Sequence, residues 1–199
     1  MEAVFGTAAA AAGLFAGTNI DDLVVLAVLN ASSRADGRPA VWQIWAGQYA
    51  GVAALTAISL LAAVGLKLVP ESWLWTLGLI PLGLGLRKLL IAIRAHRAGQ
   101  RASPAVATGL TGVIGITIAN GGDNIAAYTP AFHTMSGTGI AVTLALFVIG
   151  VALWCLAGFW LVSHHKTTQM VERWGQWIVP AVYILIGLYI FEKGGILGF

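Results

Sequence analysis

Six apolar runs, each near the ~20 residues that an α-helix needs to cross a bilayer, divide this chain. They lie at about 3–30, 41–66, 72–93, 105–130, 138–162 and 176–192, and the stretches between them are short and polar. Hydrocarbon holds no water to satisfy backbone N–H and C=O groups, so each run must close its hydrogen bonds within itself as a helix. Composition points the same way. The chain is 58% hydrophobic and 10% charged, where a soluble domain carries about 25% charged residues. It cannot cover a water-facing surface, and the expected fold is an all-α integral membrane protein with six transmembrane helices.

The net charge of +3 is carried by short loops and does not point to nucleic acid. The loops after the first, third and fifth runs, with the end of the third, hold Arg34, Arg38, Arg87, Lys88, Arg94, Arg97, Arg101, Lys166 and Arg173. The opposite side holds Lys67 and Lys193. That bias places both termini outside a bacterial-type inner membrane. Trp42, Trp45, Trp73, Trp75, Trp174 and Trp177 fall at run ends, as an interfacial aromatic belt does. The apolar N-terminus has no Lys or Arg before it and continues past Ala12 to Leu29, so it reads as a span and not as a cleaved leader. The one cysteine, Cys155, excludes an internal disulfide and a multi-thiolate metal site within one chain.

Within this apolar frame three carboxylates stand out. Asp21 and Asp22 lie in the first run and Asp123 in the fourth. A carboxylate in hydrocarbon costs about 2.5–3.5 kcal/mol even on a lenient insertion scale, and persists where it binds something. The two places match: Asn19-Ile20-Asp21-Asp22 and Asn120-Gly121-Gly122-Asp123 both read Asn-x-x-Asp. Six spans divide into two sets of three, and an odd number per set inverts the second relative to the first. The motifs then occupy equivalent spans, one and four, of an inverted repeat with a site near the midplane. The chain is read as one transmembrane domain over 1–199, with repeat one at about 1–93, a basic cytoplasmic loop at 94–104 and repeat two at about 105–199.

Gly, Thr, Asn and Asp compete with the helix ladder or tolerate its interruption. Their concentration at 17–22 and 119–124 predicts a break in each span. Breaks at this depth persist when they are buried in protein or line a cavity. Asp21, Asp22, Asp123, Asn19, Asn120 and Asn124 then offer an all-oxygen donor set for a divalent cation, and by ligand softness a hard one such as Mn²⁺, Mg²⁺ or Ca²⁺. Three carboxylates cannot all stay ionised in a low-dielectric pocket without a cation, so the resting state holds protons that metal binding releases. The ion is cargo, and no resident cofactor is expected. Neighbours on a regular helix point about 100° apart, so unless the helix unwinds there Asp21 and Asp22 cannot both face one point, and Asp22 is favoured as the ligand because it aligns with Asp123.

Thr18, Gln48 and Tyr49 are candidates for a supporting role. Gln48 lies between Gly47 and Gly51, a spacing that also marks close helix packing. Gly150 and Gly158 repeat that character in the fifth span. They allow close approach within the chain or between copies, which leaves a homo-oligomer open. Thr18, Thr117 and Thr129 are expected to bond their own helix backbones, Pro130 to end or kink the fourth span, and His133 to lie in an outward loop. The His164-His165 pair reads as a polar cytoplasmic loop.

The segments Gly17-Thr18-Asn19-Ile20-Asp21-Asp22-Leu23, Gly47-Gln48-Tyr49, Ile80-Pro81-Leu82-Gly83-Leu84-Gly85 and Ile118-Ala119-Asn120-Gly121-Gly122-Asp123-Asn124-Ile125 resemble the cadmium resistance transporter family of the lysine exporter superfamily. The resemblance covers Phe15 to about Ile190, and the span-four motif is its most specific part. It implies a six-span inner-membrane exporter of divalent heavy-metal ions, with Asp21, Asp22, Asn120, Asp123 and Asn124 at the ion, in exchange for protons. Cadmium prefers thiolates. Either an oxygen site takes it weakly, which suits an exporter that must release its ion, or the substrate is harder. Two other readings remain: an exporter of amino acids or similar solutes, and an intramembrane aspartyl protease. The chain offers no buried Arg or Lys for a substrate carboxylate, and Asn120 stands where that protease chemistry has glycine. A transporter and not an enzyme is the expectation, with the divalent ion, protons and the lipid bilayer as its partners.

Overall fold

In the computed structural model the described residues are 2–66, 79–98 and 109–162, with isolated positions 68, 76, 177, 180, 181, 184, 185, 187 and 188. Among them the regular elements are helices and no strand occurs. In chain order they are α1 (Glu2–Thr18), α2 (Ile20–Asp36), α3 (Val41–Leu66), α4 (Leu79–Ala98), α5 (Leu110–Asn120), α6 (Gly122–Thr134) and α7 (Gly137–Leu161).

Helices α3 and α7 have 26 and 25 residues, against a hydrocarbon core that takes about 20. These two are long and apolar enough to cross a membrane. The pair α1–α2, bent by 55° at Asn19, makes a third if it is one broken span. Helix α5 is apolar but has 11 residues.

The expected span at 41–66 is α3 residue for residue, and α7 follows 138–162 closely. The first expected span stops at 30, but α2 runs on to Asp36. Ser32, Ser33 and Arg34 extend the helix beyond the apolar run, and the stop is set by Gly37, whose left-handed φ of 71° turns its N–H onto the Ser33 carbonyl at 3.0 Å. Of the third expected span, 72–93, the described helix is α4, which continues past 93 so that Arg94 and Arg97 lie in it. The fourth, 105–130, is the pair α5–α6, which begins after Gly109 and continues to Thr134. Pro130 does not end it: the proline lies inside α6. Unwound backbone in an apolar surround would leave more groups unsatisfied than the one N–H a proline lacks. His133 is likewise in the last turn of α6 and not in a loop, with Nδ1 3.3 Å from the Ala63 carbonyl at the end of α3. Trp73, Trp75, Trp174, His164 and His165 and most of 176–192 lie outside the described residues.

The packing exchanges partners between the two halves. Helix α3 lies against α5 and α6, and α7 lies against α1 and α2. Glycines make the approach. A Cβ at Gly47 would sit 2.6 Å from Val113 Cγ1, and one at Gly51 2.5 Å from Thr117 Cγ2. On the other side, Gly150 faces Phe15 and Gly158 faces Leu26. These small residues therefore serve contacts within the chain. Phe15, Phe147, Trp154, Tyr128 and Phe132 fill the space between α1, α6 and α7, with Phe147 4.7 Å from Tyr128 and 5.3 Å from Phe15 between ring centroids. The outer faces keep large apolar side chains exposed, among them Ile58, Leu61 and Val64 of α3 and Ile149, Leu153 and Leu156 of α7. This is the lipid-facing pattern of a helix apolar on every side.

Candidate functional site

Both Asn-x-x-Asp motifs sit at helix breaks, and the fold brings the breaks together. The first is Asn19 itself, with φ −111° and ψ 14° between α1 and α2. The second is Gly121, with φ −86° and ψ 14° between α5 and α6. Gly121 has no spare room: a Cβ there would fall 2.0 Å from Leu55 Cδ1 of α3. The absence of a side chain is what lets α3 cross the second break.

Asn19 is fully buried and holds the first break closed. Its Nδ2 donates to the Phe15 carbonyl at 2.8 Å and to Tyr128 OH at 2.8 Å. Its backbone carbonyl accepts the indole N–H of Trp154 at 2.6 Å. Thr18 bonds its own helix, as expected, through Oγ1 to the Leu14 carbonyl at 2.9 Å, and shares a hydrogen bond of 3.1 Å with Tyr128 OH. A break in an apolar surround frees backbone acceptors, and Trp154 supplies a donor for one of them. Trp154→Phe keeps an aromatic ring and removes that donor. It is expected to cost about 1–3 kcal/mol, the range for orphaning a buried acceptor, read as a lowered Tm of the purified protein; an unchanged Tm would mean that the carbonyl finds another donor.

The two motifs are cross-linked by their polar side chains. Asp22, buried, accepts from Asn120 Nδ2 of the second motif on Oδ1 and from Gln48 Nε2 on Oδ2 at 2.9 Å. Thr117 Oγ1 shares its one proton between Gln48 Oε1 at 2.9 Å and its own Val113 carbonyl at 3.0 Å. The chain Thr117–Gln48–Asp22–Asn120 thus leaves α5, crosses α3 and α2, and returns to α5. In parallel, Asn124 Nδ2 donates to Asn19 Oδ1 at 3.1 Å. Asp123 is buried, and its Oδ1 accepts the Asn124 backbone N–H at 3.1 Å. Asp21 is half-buried, with Oδ1 accepting the Asp22 backbone N–H at 3.2 Å.

The six candidate ligands therefore fall in one region but differ in situation. Asp22, Asn120, Asn19 and Asn124 make the bonds between motifs, and Asp123 lies beside Asn124. Of the adjacent pair, Asp22 is the one that reaches the second motif. Gln48 is tied to Asp22, while Gly47 and Gly51 beside it pack on α5, so both readings of that segment apply. Tyr49 is not at the site: its OH donates to the Val148 carbonyl of α7 at 3.0 Å, because the helical turn of α3 aims it away from Gln48. Thr129 does not bond its own backbone; its buried Oγ1 has no hydrogen-bond partner among the described residues, and the same holds for Asn30 Oδ1 and Asn124 Oδ1. Tyr128 and Trp154 were not singled out from sequence. An aromatic with a polar tip inside an apolar run was the available signal, but only the fold shows which break it serves. Cys155 is buried in the core.

Among the described residues, no group of three or more His, Cys, Asp and Glu side chains is gathered as a metal site. What the breaks do gather is a mixed carboxylate–amide set with oxygens from both motifs. Such a set can take a hard or borderline divalent cation. A family model described as cadmium resistance transporter matches residues 15–198. No curated protein and no solved structure matches the chain.

Proposed function

The chain belongs to the cadmium resistance transporter family, and from that premise we propose that it exports a divalent heavy-metal cation, cadmium or a similar ion, across a bacterial inner membrane in exchange for protons. In this reading the chain forms six spans in two inverted sets of three, with both termini outside. The ion is held near the midplane between the two breaks. The exchange of packing partners supports the repeat: α3 covers the second break and α7 the first.

The observation that carries the site is Asn124. It spends its amide nitrogen on Asn19 and keeps Oδ1 buried with no hydrogen-bond partner among the described residues. A buried acceptor left unmade costs about 1–3 kcal/mol, and a cation would satisfy it. Asp22 and Asp123 supply charge, and Asn120, now donating to Asp22, can turn its carbonyl oxygen to the ion. Asn19 is a clamp in this arrangement and becomes a ligand only if Asn124 lets go. Asp21, Asp22 and Asp123 cannot all be ionised side by side without a cation. Protons fill the place of the metal, which gives exchange its physical basis. An all-oxygen site holds a soft ion loosely, and an exporter must release what it carries.

The test is thermal stabilisation of the purified protein by a panel of divalent ions, with Asp22→Asn/Asp123→Asn as control. An ion at about 100 times its dissociation constant adds about 2.7 kcal/mol to the native state. One or two ions are expected to stabilise the wild type and not the double variant. The effect should grow as pH rises, because protons compete for the same oxygens. Stabilisation by an amino acid or similar solute, with none by any metal, would replace this reading with that of an organic-solute exporter.

A further inference from the structure

Among the described residues, the buried oxygens without a hydrogen-bond partner are not confined to the central site. Asn30 Oδ1 lies on α2 and Thr129 Oγ1 on α6. Asn30 is eight residues beyond Asp22, about 12 Å along the helix axis at 1.5 Å per residue. Thr129 is six residues beyond Asp123, about 9 Å by the same rise. Both side chains are at least nine-tenths buried, at 2% and 9% relative exposure. The orientation of Asn30 is fixed: its Nδ2 donates to the Leu26 carbonyl at 2.8 Å, and an exchanged amide would set oxygen against oxygen. Its Oδ1 is thereby turned away from its own backbone.

Helices α2 and α6 are the two halves that follow the breaks. With the orientation set by the basic loops, α2 leads from the site toward the cytoplasm and α6 leads from it to the outside. Among the described residues, one oxygen without a partner stands on each side of the site. Leaving a buried oxygen unmade is costly wherever a partner could be had, and apolar residues of similar shape would avoid the cost at either position. Resting on the export reading above, we infer that Asn30 and Thr129 are waypoint ligands: Asn30 takes the partly hydrated divalent cation on the way in, and Thr129 takes it on the way out.

Near-isosteric variants that delete each oxygen test this, because the waypoint role and a structural imperfection predict opposite results. Asn30→Leu and Thr129→Val remove an unsatisfied polar group, so each should raise the Tm of the purified protein. If they are waypoints, each also slows transport. In inverted vesicles, which present the cytoplasmic face to added Cd²⁺ or Zn²⁺, Asn30→Leu should raise the KM for uptake several-fold. Thr129→Val should lower the maximal rate several-fold with KM little changed. The equilibrium dissociation constant of the ion should stay within twofold of wild type in both. Wild-type transport by both variants would overturn the inference, and if Asp123→Asn is inactive in the same vesicles the export reading stands without it. An equilibrium dissociation constant raised as much as KM in Asn30→Leu would also overturn it, by making Asn30 part of the central site. Asn30→Gln, which keeps an oxygen on a longer arm, should retain more uptake than Asn30→Leu; equal loss in both would count against the oxygen as the acting group.

Discussion

Asp123→Asn is expected to abolish export while the protein still inserts and folds. The substitution keeps the shape and a carbonyl oxygen, and it removes the charge and the exchangeable proton. Neutralising a carboxylate in an apolar surround does not destabilise insertion, so protein abundance and Tm should be held or improved. Metal resistance of cells and vesicle uptake should fall to background. The comparison within the first motif is sharper. Asp22→Asn should approach the same loss, because Asp22 bonds Asn120 and Gln48 across three helices. Asp21→Asn should retain a substantial fraction of the rate, because that side chain is half-buried and accepts from its own helix. Vesicle uptake of the three variants at matched protein levels decides it. Full activity of Asp123→Asn would remove the cation cage, and a greater loss at Asp21 than at Asp22 would overturn the pairing of the two motifs.

Gly51→Leu is expected to have the largest effect on folding. A Cβ alone would stand 2.6 Å from Thr117 Cβ, and a leucine must push α3 off α5. Overpacking a tight contact costs about 1–3 kcal/mol and occasionally more. Here the shift also separates Gln48 from Thr117 and Asp22, so buried polar groups lose their partners at about 1–3 kcal/mol each. The sum is a large part of the 5–15 kcal/mol of a typical fold. A sharp fall in Tm and in membrane abundance is the expected result. A change at Gly83, which is exposed and meets nothing within 4 Å among the described residues, should be tolerated and serves as the control. Normal abundance of Gly51→Leu would mean that α3 and α5 do not approach as described.

Element positions were legible in the sequence where burial in lipid dictates them. The apolar run 41–66 is α3 because its Gly, Ser and Thr stand singly among apolar residues and not clustered as at 17–22 and 119–124. The breaks at Asn19 and Gly121 were legible because Asn, Gly and Asp cluster where an apolar run has no other reason to carry them. Ends set by single residues were less so: α2 runs past its apolar stretch until Gly37 turns the chain, and α6 passes Pro130, where unwound backbone in an apolar surround would cost more than one missing N–H. Least legible were the partners across the fold. The carbonyl freed at Asn19 is met by Trp154, 135 residues away, and the turn of α3 sends Gln48 to the site and Tyr49 to α7. Spacing within a segment carries no record of which distant helix will face it.

That distance also sets an order of assembly. At a synthesis rate of about 5–20 residues per second, Trp154 is made roughly 7–27 s after Asn19. Until α7 is made, the Asn19 carbonyl at the break between α1 and α2 lacks its Trp154 donor, and the Asp22 carboxylate lacks Asn120 over much of the same interval. The first half alone therefore carries polar groups whose partners only the second half supplies.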